Sequence, residues 1–196
     1  METETRTEII EATNRALCEH GYAGLTMKRI AAESSMTTAA IHYHFDTKEE
    51  LLNAFLDDLI ERFEQKLDCD ASDPRERLNS FLDAVFSPPE PDTEGFPVAI
   101  MELKAQSPYH TLFRERFLDL DEVMREVVTD IVKDGIEAGH FEETDPAEVA
   151  RLVTTVSNGA HTRTVALGEQ AEETRQVLEH TLELHLGWTP GSEVIA

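Results

Sequence analysis

Residues 26–50 read Thr-Met-Lys-Arg-Ile-Ala-Ala-Glu-Ser-Ser-Met-Thr-Thr-Ala-Ala-Ile-His-Tyr-His-Phe-Asp-Thr-Lys-Glu-Glu. Thr26 can cap a short helix that turns Met27, Ile30 and Ala31 inward. Ser34-Ser35-Met36 breaks it, and Thr37 or Thr38 starts a second short helix reaching Phe45. A turn this brief cannot let the two helices lie antiparallel, so they must cross steeply, as in a helix-turn-helix. Ile30, Ala31, Met36, Ile41 and Phe45 form the expected shared core, joined by Leu17 and by Leu51 or Leu52. That leaves Thr37, Thr38, Ala39, Ala40 and Tyr43 on the outward side, where a helix of this kind enters a major groove.

Working outward, the spacing predicts a first helix over about Thr3–His20, with Ile9, Thr13, Ala16, Leu17 and His20 on one face and Gly21 as its stop. Thr47-Lys48-Glu49-Glu50 is a capping box opening a long helix through Leu51, Leu52, Phe55, Leu59, Phe63 and Leu67. Asp73-Pro74 and Asp145-Pro146 repeat one signal, Asp at the cap and Pro in the first turn. Pro88-Pro89-Glu90-Pro91 with Gly95 and Pro97 reads as a loop. Further helices are expected over about Leu112–Ala138, 146–167 and 172–186, the last ended by Gly187. No strand alternation is convincing. The predicted class is all-α, about nine helices, with an N-terminal three-helix domain joined by a long helix to a larger helical region.

The chain has 196 residues, 40% of them hydrophobic and 7% aromatic, and 40 Asp or Glu against 17 Lys or Arg give a formal charge of −23. No apolar run is long enough for a membrane span. The polar start, Met1 to Thr7, argues against secretion and for the cytoplasm. Cys18 and Cys69 fit no metal-ligand spacing. There is no phosphate-cradling glycine loop, no nucleophile elbow and no metalloprotease motif, and adjacent acids such as Asp57-Asp58 diverge rather than share a proton. No catalytic residue, metal or cofactor is therefore expected. A charge this negative ordinarily excludes nucleic acid as the partner. The first 50 residues, however, hold five cations (Arg6, Arg15, Lys28, Arg29, Lys48) against nine acids. Only five basic residues in the chain are Lys, and Glu outnumbers Asp 27 to 13. An acid-coated, lysine-poor surface is similar to that of proteins from salt-in halophiles, where multimolar salt screens self-repulsion.

Gly21-Tyr22-Ala23-Gly24-Leu25-Thr26, Ile30-Ala31, Ile41-His42-Tyr43-His44-Phe45 and Lys48-Glu49-Glu50-Leu51, in ungapped register, closely resemble the DNA-binding domain of the TetR/AcrR (tetracycline-repressor) family. Asp134-Gly135-Ile136-Glu137-Ala138-Gly139-His140-Phe141, Asp145-Pro146, Ala150-Arg151-Leu152-Val153 and Asn158-Gly159 are similar to the regulatory domain of many members. The resemblance implies a homodimeric transcription factor, usually a repressor. It would bind a palindromic double-stranded operator through residues 1–50 and a small-molecule effector through a ligand-binding and dimerisation domain at 51–196. Carried over by position, Thr26, His42 and Lys48 would touch phosphate. Lys28, Thr37, Thr38, Ala39, Ala40 and Tyr43 would lie nearest the bases. Thr26 and Thr37 can also be read as helix caps only, and Lys48 as a solvated first-turn lysine. His44 is expected near the core.

The family usually has Tyr where this chain has His42 and Gly where it has Ala39. A protonated His42 would add charge, giving binding a pH dependence. Residues 37–44 contain no Arg, Lys, Asn or Gln, so the bidentate readers of guanine and adenine are missing. Thymine-methyl contacts from Ala40 and Tyr43, hydroxyl contacts and DNA shape must carry specificity instead. A dimeric helical small-molecule binder without DNA binding is the alternative. For a hydrophobic effector the candidate lining is Phe63, Phe86, Met101, Phe113, Phe117, Met124, Val156 and His161, within a wider set that adds Phe55, Leu59, Phe81, Val85, Phe96, Tyr109, Asn158 and Arg163. Any single one of these is more often plain core. Val149, Leu152, Val153 and Val156, with Val177, Leu178, Leu182 and Leu186, are the expected dimer surface, packing as a four-helix bundle.

Overall fold

The computed structural model describes residues 2–67, 71–87 and 95–188. Among them the chain is helical almost throughout: α1 (Glu2–Gly24), α2 (Met27–Ala32), α3 (Thr38–His44), α4 (Lys48–Leu67), α5 (Pro74–Phe86), α6 (Phe96–Gln106), α7 (Thr111–Glu137), α8 (Pro146–Leu167) and α9 (Ala171–Leu186). The all-α class holds, and the expected caps explain the boundaries. The hydroxyl oxygens of Thr26 and Thr37 accept from the Arg29 and Ala40 N–H groups, and the carboxylate oxygens of Asp73 and Asp145 accept from the Arg75 and Ala147 N–H groups. Thr47 caps α4 by accepting from Glu50 N–H at 3.0 Å, while the Glu50 carboxylate reaches back to Asp46 N–H at 2.9 Å, one residue before the cap.

Two expectations need correction. Pro97 belongs to the first turn of α6 rather than to a loop, because a proline's missing N–H costs nothing there; Pro88-Pro89-Glu90-Pro91 lies outside the described residues, as does Cys69. Gly21 does not end the first helix for good. It interrupts α1 with φ 66° and ψ 172°, and a short helical stretch resumes to Gly24. Few side chains tolerate that conformation.

The chain divides into two compact units, Met1–Arg62 with Pro89–Asp119 and Phe63–Pro88 with Leu120–Ala196. The first unit packs α1 against α6 and α2, and α2 against α3. Its core contains Ile9, Leu17, Ile30, Ile41, Phe45, Leu51 and Leu52, all at most 1% exposed, as the helix-turn-helix reading requires, with Ala31 and Met36 half-buried against it. α6 contributes Ala99, Ile100 and Leu103 to this core, and α7 contributes Phe113. Glu102 of α6 accepts the Tyr22 N–H at 2.6 Å, taking up a donor freed by the break at Gly21.

The second unit packs α8 on α9 and both on α5. Its core holds Leu78, Phe81, Leu82, Val128, Ile131, Val132, Val153, Leu178, Leu182 and Leu186. Trp188, 1% exposed, joins it just after Gly187, whose φ of 63° stops α9. Near the end of α7, the Gly135 carbonyl accepts the His140 and Phe141 N–H groups. A Cβ on Gly135 would lie 2.0 Å from the Phe141 ring.

Two stability measurements follow from these contacts. In an open helix position Gly→Ala gains about 1 kcal/mol. Here the rigid Phe141 ring must move, so Gly135→Ala is expected to lose about 1–3 kcal/mol by denaturation in matched salt; a gain would show that the ring does not pack there. At α5, Asp73 also bonds the Arg75 guanidinium, which, together with the cap and a nearby His140, holds its carboxyl down to about 2. A depressed folded-state value stabilises above the ordinary carboxyl range and is lost as pH falls through it. Asp73→Ala should cost about 1 kcal/mol at neutral pH, and its gap from the unsubstituted protein should close between about pH 4 and pH 2.

Candidate nucleic-acid interface

The reading segment presents a polar and aromatic face because Ile41 and Phe45 turn into the core. Thr37, Ala39, His42 and Tyr43 are exposed, Tyr43 at 85%, while Thr38 and Ala40 are half-buried. His44 is half-buried, with its ring edge-on to the exposed Tyr43. Thr26 and Lys28 are exposed at the start of α2, and Lys48, half-buried, is the first residue of α4. Thr26 and Thr37 are indeed caps. Capping uses their oxygen as acceptor, so each O–H is still able to donate to a phosphate. All nine candidates belong to the first unit.

Several contacts around this face are not legible in the sequence. The Arg6 guanidinium lies 4.9 Å over the Phe45 ring, and the Lys48 ammonium lies 4.4 Å over the Tyr22 ring. The Glu8 carboxylate accepts from Ser35 N–H at 3.0 Å and Ser35 Oγ at 2.7 Å, which ties the turn to α1 and lowers the Glu8 carboxyl from its ordinary range. Burial, with the Glu49 charge second, pushes the Tyr22 hydroxyl up and keeps it protonated. Tyr22 and Lys48 stood in the quoted motif, but nothing in their spacing signals a contact 26 residues apart.

The effector candidates are divided between the two units. Phe113 lies in the first unit's core with Phe117 packed against it, and Met101 is a half-buried residue of the same unit. Phe86 and Met124 lie in the second core, with Phe63 and Val156 packed on it, and His161 is half-buried. A cavity of about 550 Å³ in the second unit is lined instead by Glu64, Gln65, Leu67, Arg77, Phe81, Val123, Glu126, Val127, Asp130 and Ile131. Of the wider candidate set only Phe81 lines it. Arg77 there is paired with Asp134.

The expected dimer surface is also split. Val149, Val153, Leu178, Leu182 and Leu186 are at most 4% exposed inside their own unit, so they fill its core rather than face a second copy. Leu152 and Val156 are half-buried, and Val177 is 67% exposed. Leu184, outside the expected set, is 70% exposed two helical turns beyond Val177. Among the described residues no group of three or more His, Cys, Asp or Glu is gathered to hold a metal ion, and no helix is long and apolar enough to cross a membrane.

Residues 9–55 match the family model of bacterial regulatory proteins, tetR family, and residues 74–187 match that of the BetI-type transcriptional repressor, C-terminal. The chain is 26% identical over 178 residues to the HTH-type transcriptional repressor AcnR of Corynebacterium glutamicum, covering 90% of each. A TetR transcription regulator from Haloarcula marismortui shares its fold with a TM-score of 0.88 at 41% identity, over 94% of this chain and 99% of that one. A transcriptional regulator from Saccharomonospora viridis, crystallised with choline, has the same fold at 21% identity and a TM-score of 0.83, over 94% and 98% of the two chains. With its N-terminal and C-terminal regions matched in order, the chain belongs to the TetR family of DNA-binding transcriptional regulators.

Proposed function

We propose that this protein is a homodimeric repressor that binds a palindromic operator in the cytoplasm and is released by a small hydrophobic ligand. The observation that carries the reading is the exposed face of α3, held by a fully buried Ile41 and Phe45, in a segment matching the family's DNA-binding domain. Residues 1–50 read the DNA: Thr26, His42 and Lys48 on phosphate, and Lys28, Thr37, Thr38, Ala39, Ala40 and Tyr43 toward the bases. Residues 51–196 bind the effector and pair the subunits. No catalysis and no cofactor are assigned to it. A likeness to a regulator of a halophile, with the acid-coated surface, supports multimolar salt as its working solvent.

The cavity of the second unit has the size of a ligand site. Leu67, Phe81, Val123, Val127 and Ile131 give it an apolar wall, and the carboxylates of Glu64, Glu126 and Asp130 disfavour an anionic occupant.

For the dimer we infer the part of α8 and α9 that their own core leaves uncovered: the exposed Val177 and Leu184, with the free edges of the half-buried Leu152 and Val156. Gly159 supports it. A Cβ there would meet nothing within 4 Å in its own chain, so packing inside the protomer does not require glycine. A mid-helix glycine costs about 1 kcal/mol against alanine, and close approach of a second copy accounts for it. Val177→Glu with Leu184→Glu should turn a dimer into a monomer by light scattering in high salt; a monomer before substitution would refute the assembly.

The DNA reading is tested on a duplex carrying the palindrome upstream of the protein's own gene. Lys48→Ala should weaken binding about five- to tenfold and Tyr43→Ala about tenfold, each with helicity unchanged. Affinity of the unsubstituted chain should stay flat or rise as salt is added, because screening removes the repulsion of a −23 protein. A steep decline would refute that salt response, and effector binding without any DNA binding would favour the alternative, a dimeric small-molecule binder.

A further inference from the structure

Lys48 sits in a run of acids, Asp46, Glu49 and Glu50, yet among the described residues no carboxylate forms an ion pair with its ammonium. Most arginines of the chain are neutralised: Arg15 by Glu33, Arg62 by Asp58, Arg116 by Asp57 and Asp119, and Arg175 by Asp83 and Glu179. Lys48 rests instead on the face of Tyr22, 4.4 Å from the ring centre. The difference matters chemically. A carboxylate cancels the ammonium's charge and occupies its donors, whereas a ring face attracts it and leaves the charge and N–H groups for a phosphate.

Tyr22 is itself held from three directions, all within the first unit. Its N–H donates to Glu102 at 2.6 Å, its hydroxyl lies 3.3 Å from His110 Nε2, and the Phe113 ring meets it edge-on at 6.4 Å. Gly21 sets this up, since its turn delivers the Tyr22 N–H to Glu102 and a Cβ there would lie 2.8 Å from that carboxylate. Glu102 belongs to α6, and His110 immediately precedes α7.

We propose that Tyr22, fixed by Glu102 and His110, is the positioning residue that holds the Lys48 ammonium away from carboxylates and available to a DNA phosphate, so that the segment joining α6 to α7 helps set operator affinity. This rests on the reading of Lys48 as a phosphate contact. A cation seated on an aromatic face gains enough to hold one side-chain geometry, about a five- to tenfold effect when the face is removed.

The test uses the full-length chain and a duplex it selects from a random pool, with affinity measured across graded KCl. Tyr22→Leu and Lys48→Met are each expected to weaken binding about five- to tenfold. Each should shift the slope of log affinity against log salt upward by about 0.9, the loss of one phosphate contact. The doubly substituted chain should be no weaker than Lys48→Met alone. Tyr22→Phe and His110→Phe keep the rings but lose the hydroxyl–imidazole bond, and should weaken binding about two- to threefold; they carry the same comparison if Tyr22→Leu does not fold. The inference is overturned if Tyr22 substitutions still weaken binding on the Lys48→Met background, or leave the slope unmoved while Lys48→Met shifts it. If Lys48→Met changes neither affinity nor slope, or if no duplex is selected, the DNA-contact reading has failed and this inference falls with it.

Discussion

The first unit depends on a single backbone turn at Gly21. With φ at 66° and ψ at 172°, that residue breaks a helix whose apolar face, Ile9, Thr13, Ala16 and Leu17, is already fully buried. The break frees a donor at Tyr22, and Glu102 of α6 accepts it. One conformational choice thereby fixes three things: where the first helix stops supporting the reading helix, how α6 joins the same core, and where the Tyr22 ring lies beneath Lys48. A side chain at position 21 would be strained in its own backbone and crowded against the Glu102 carboxylate. Glycine is required there by geometry, in contrast to Gly159, where nothing inside the chain demands it.

The same unit shows how an acidic chain can keep a cation useful. Exposed ion pairs at helical spacing, such as Arg62 with Asp58 or Arg125 with Asp121, contribute little to stability. Their larger consequence is that they consume positive charge. With 17 cations against 40 acids, any cation left to diffuse over the surface finds a carboxylate. Arg6 and Lys48 flank the reading segment, and each rests on a ring, Phe45 and Tyr22 respectively. Phe45 is also a core residue at 1% exposure, so the packing that orients α3 doubles as a platform for Arg6.

How much of this could be read from the sequence follows from the range of each interaction. Caps and apolar periodicity are local, and they placed α8 and α9 to within a residue at each end; Thr26, Thr37, Asp73 and Asp145 cap as expected. The helix-turn-helix core was legible because its members lie within a few turns of one another. Contacts across 80 or 88 residues, Tyr22 with Glu102 and His110, leave no periodic trace. Periodicity also reports that a face is buried without saying by what. Val153 and Leu178 share their helices with Leu152 and Val177, yet the first two are fully buried in their own core while Leu152 is only partly buried against it and Val177 is exposed. The cavity was missed for a related reason. Glu64, Glu126 and Asp130 look, in sequence, like any other part of a solvated acidic coat, and large apolar residues such as Phe113 and Met124 are more often used to fill a core than to line a hollow.

Salt separates the two scales on which this chain's charges act. The Debye length is about 3 Å at 1 M, so at multimolar salt the field of a −23 surface hardly extends beyond its own hydration layer. The repulsion that should keep DNA away is then lost, and so is most of the counterion-release gain that a basic protein would use. What survives, on the proposed assignment of these groups to DNA, is interaction at contact: an ammonium already seated 4.4 Å above a ring, hydroxyls already ordered by capping, and a reading helix without Arg or Lys. Each of these relies on placement rather than on attraction from a distance. On the proposed reading, the acid coat and the pre-positioned contacts are two responses to one condition: a solvent that cancels long-range electrostatics leaves specificity to groups whose position has been settled before the DNA arrives.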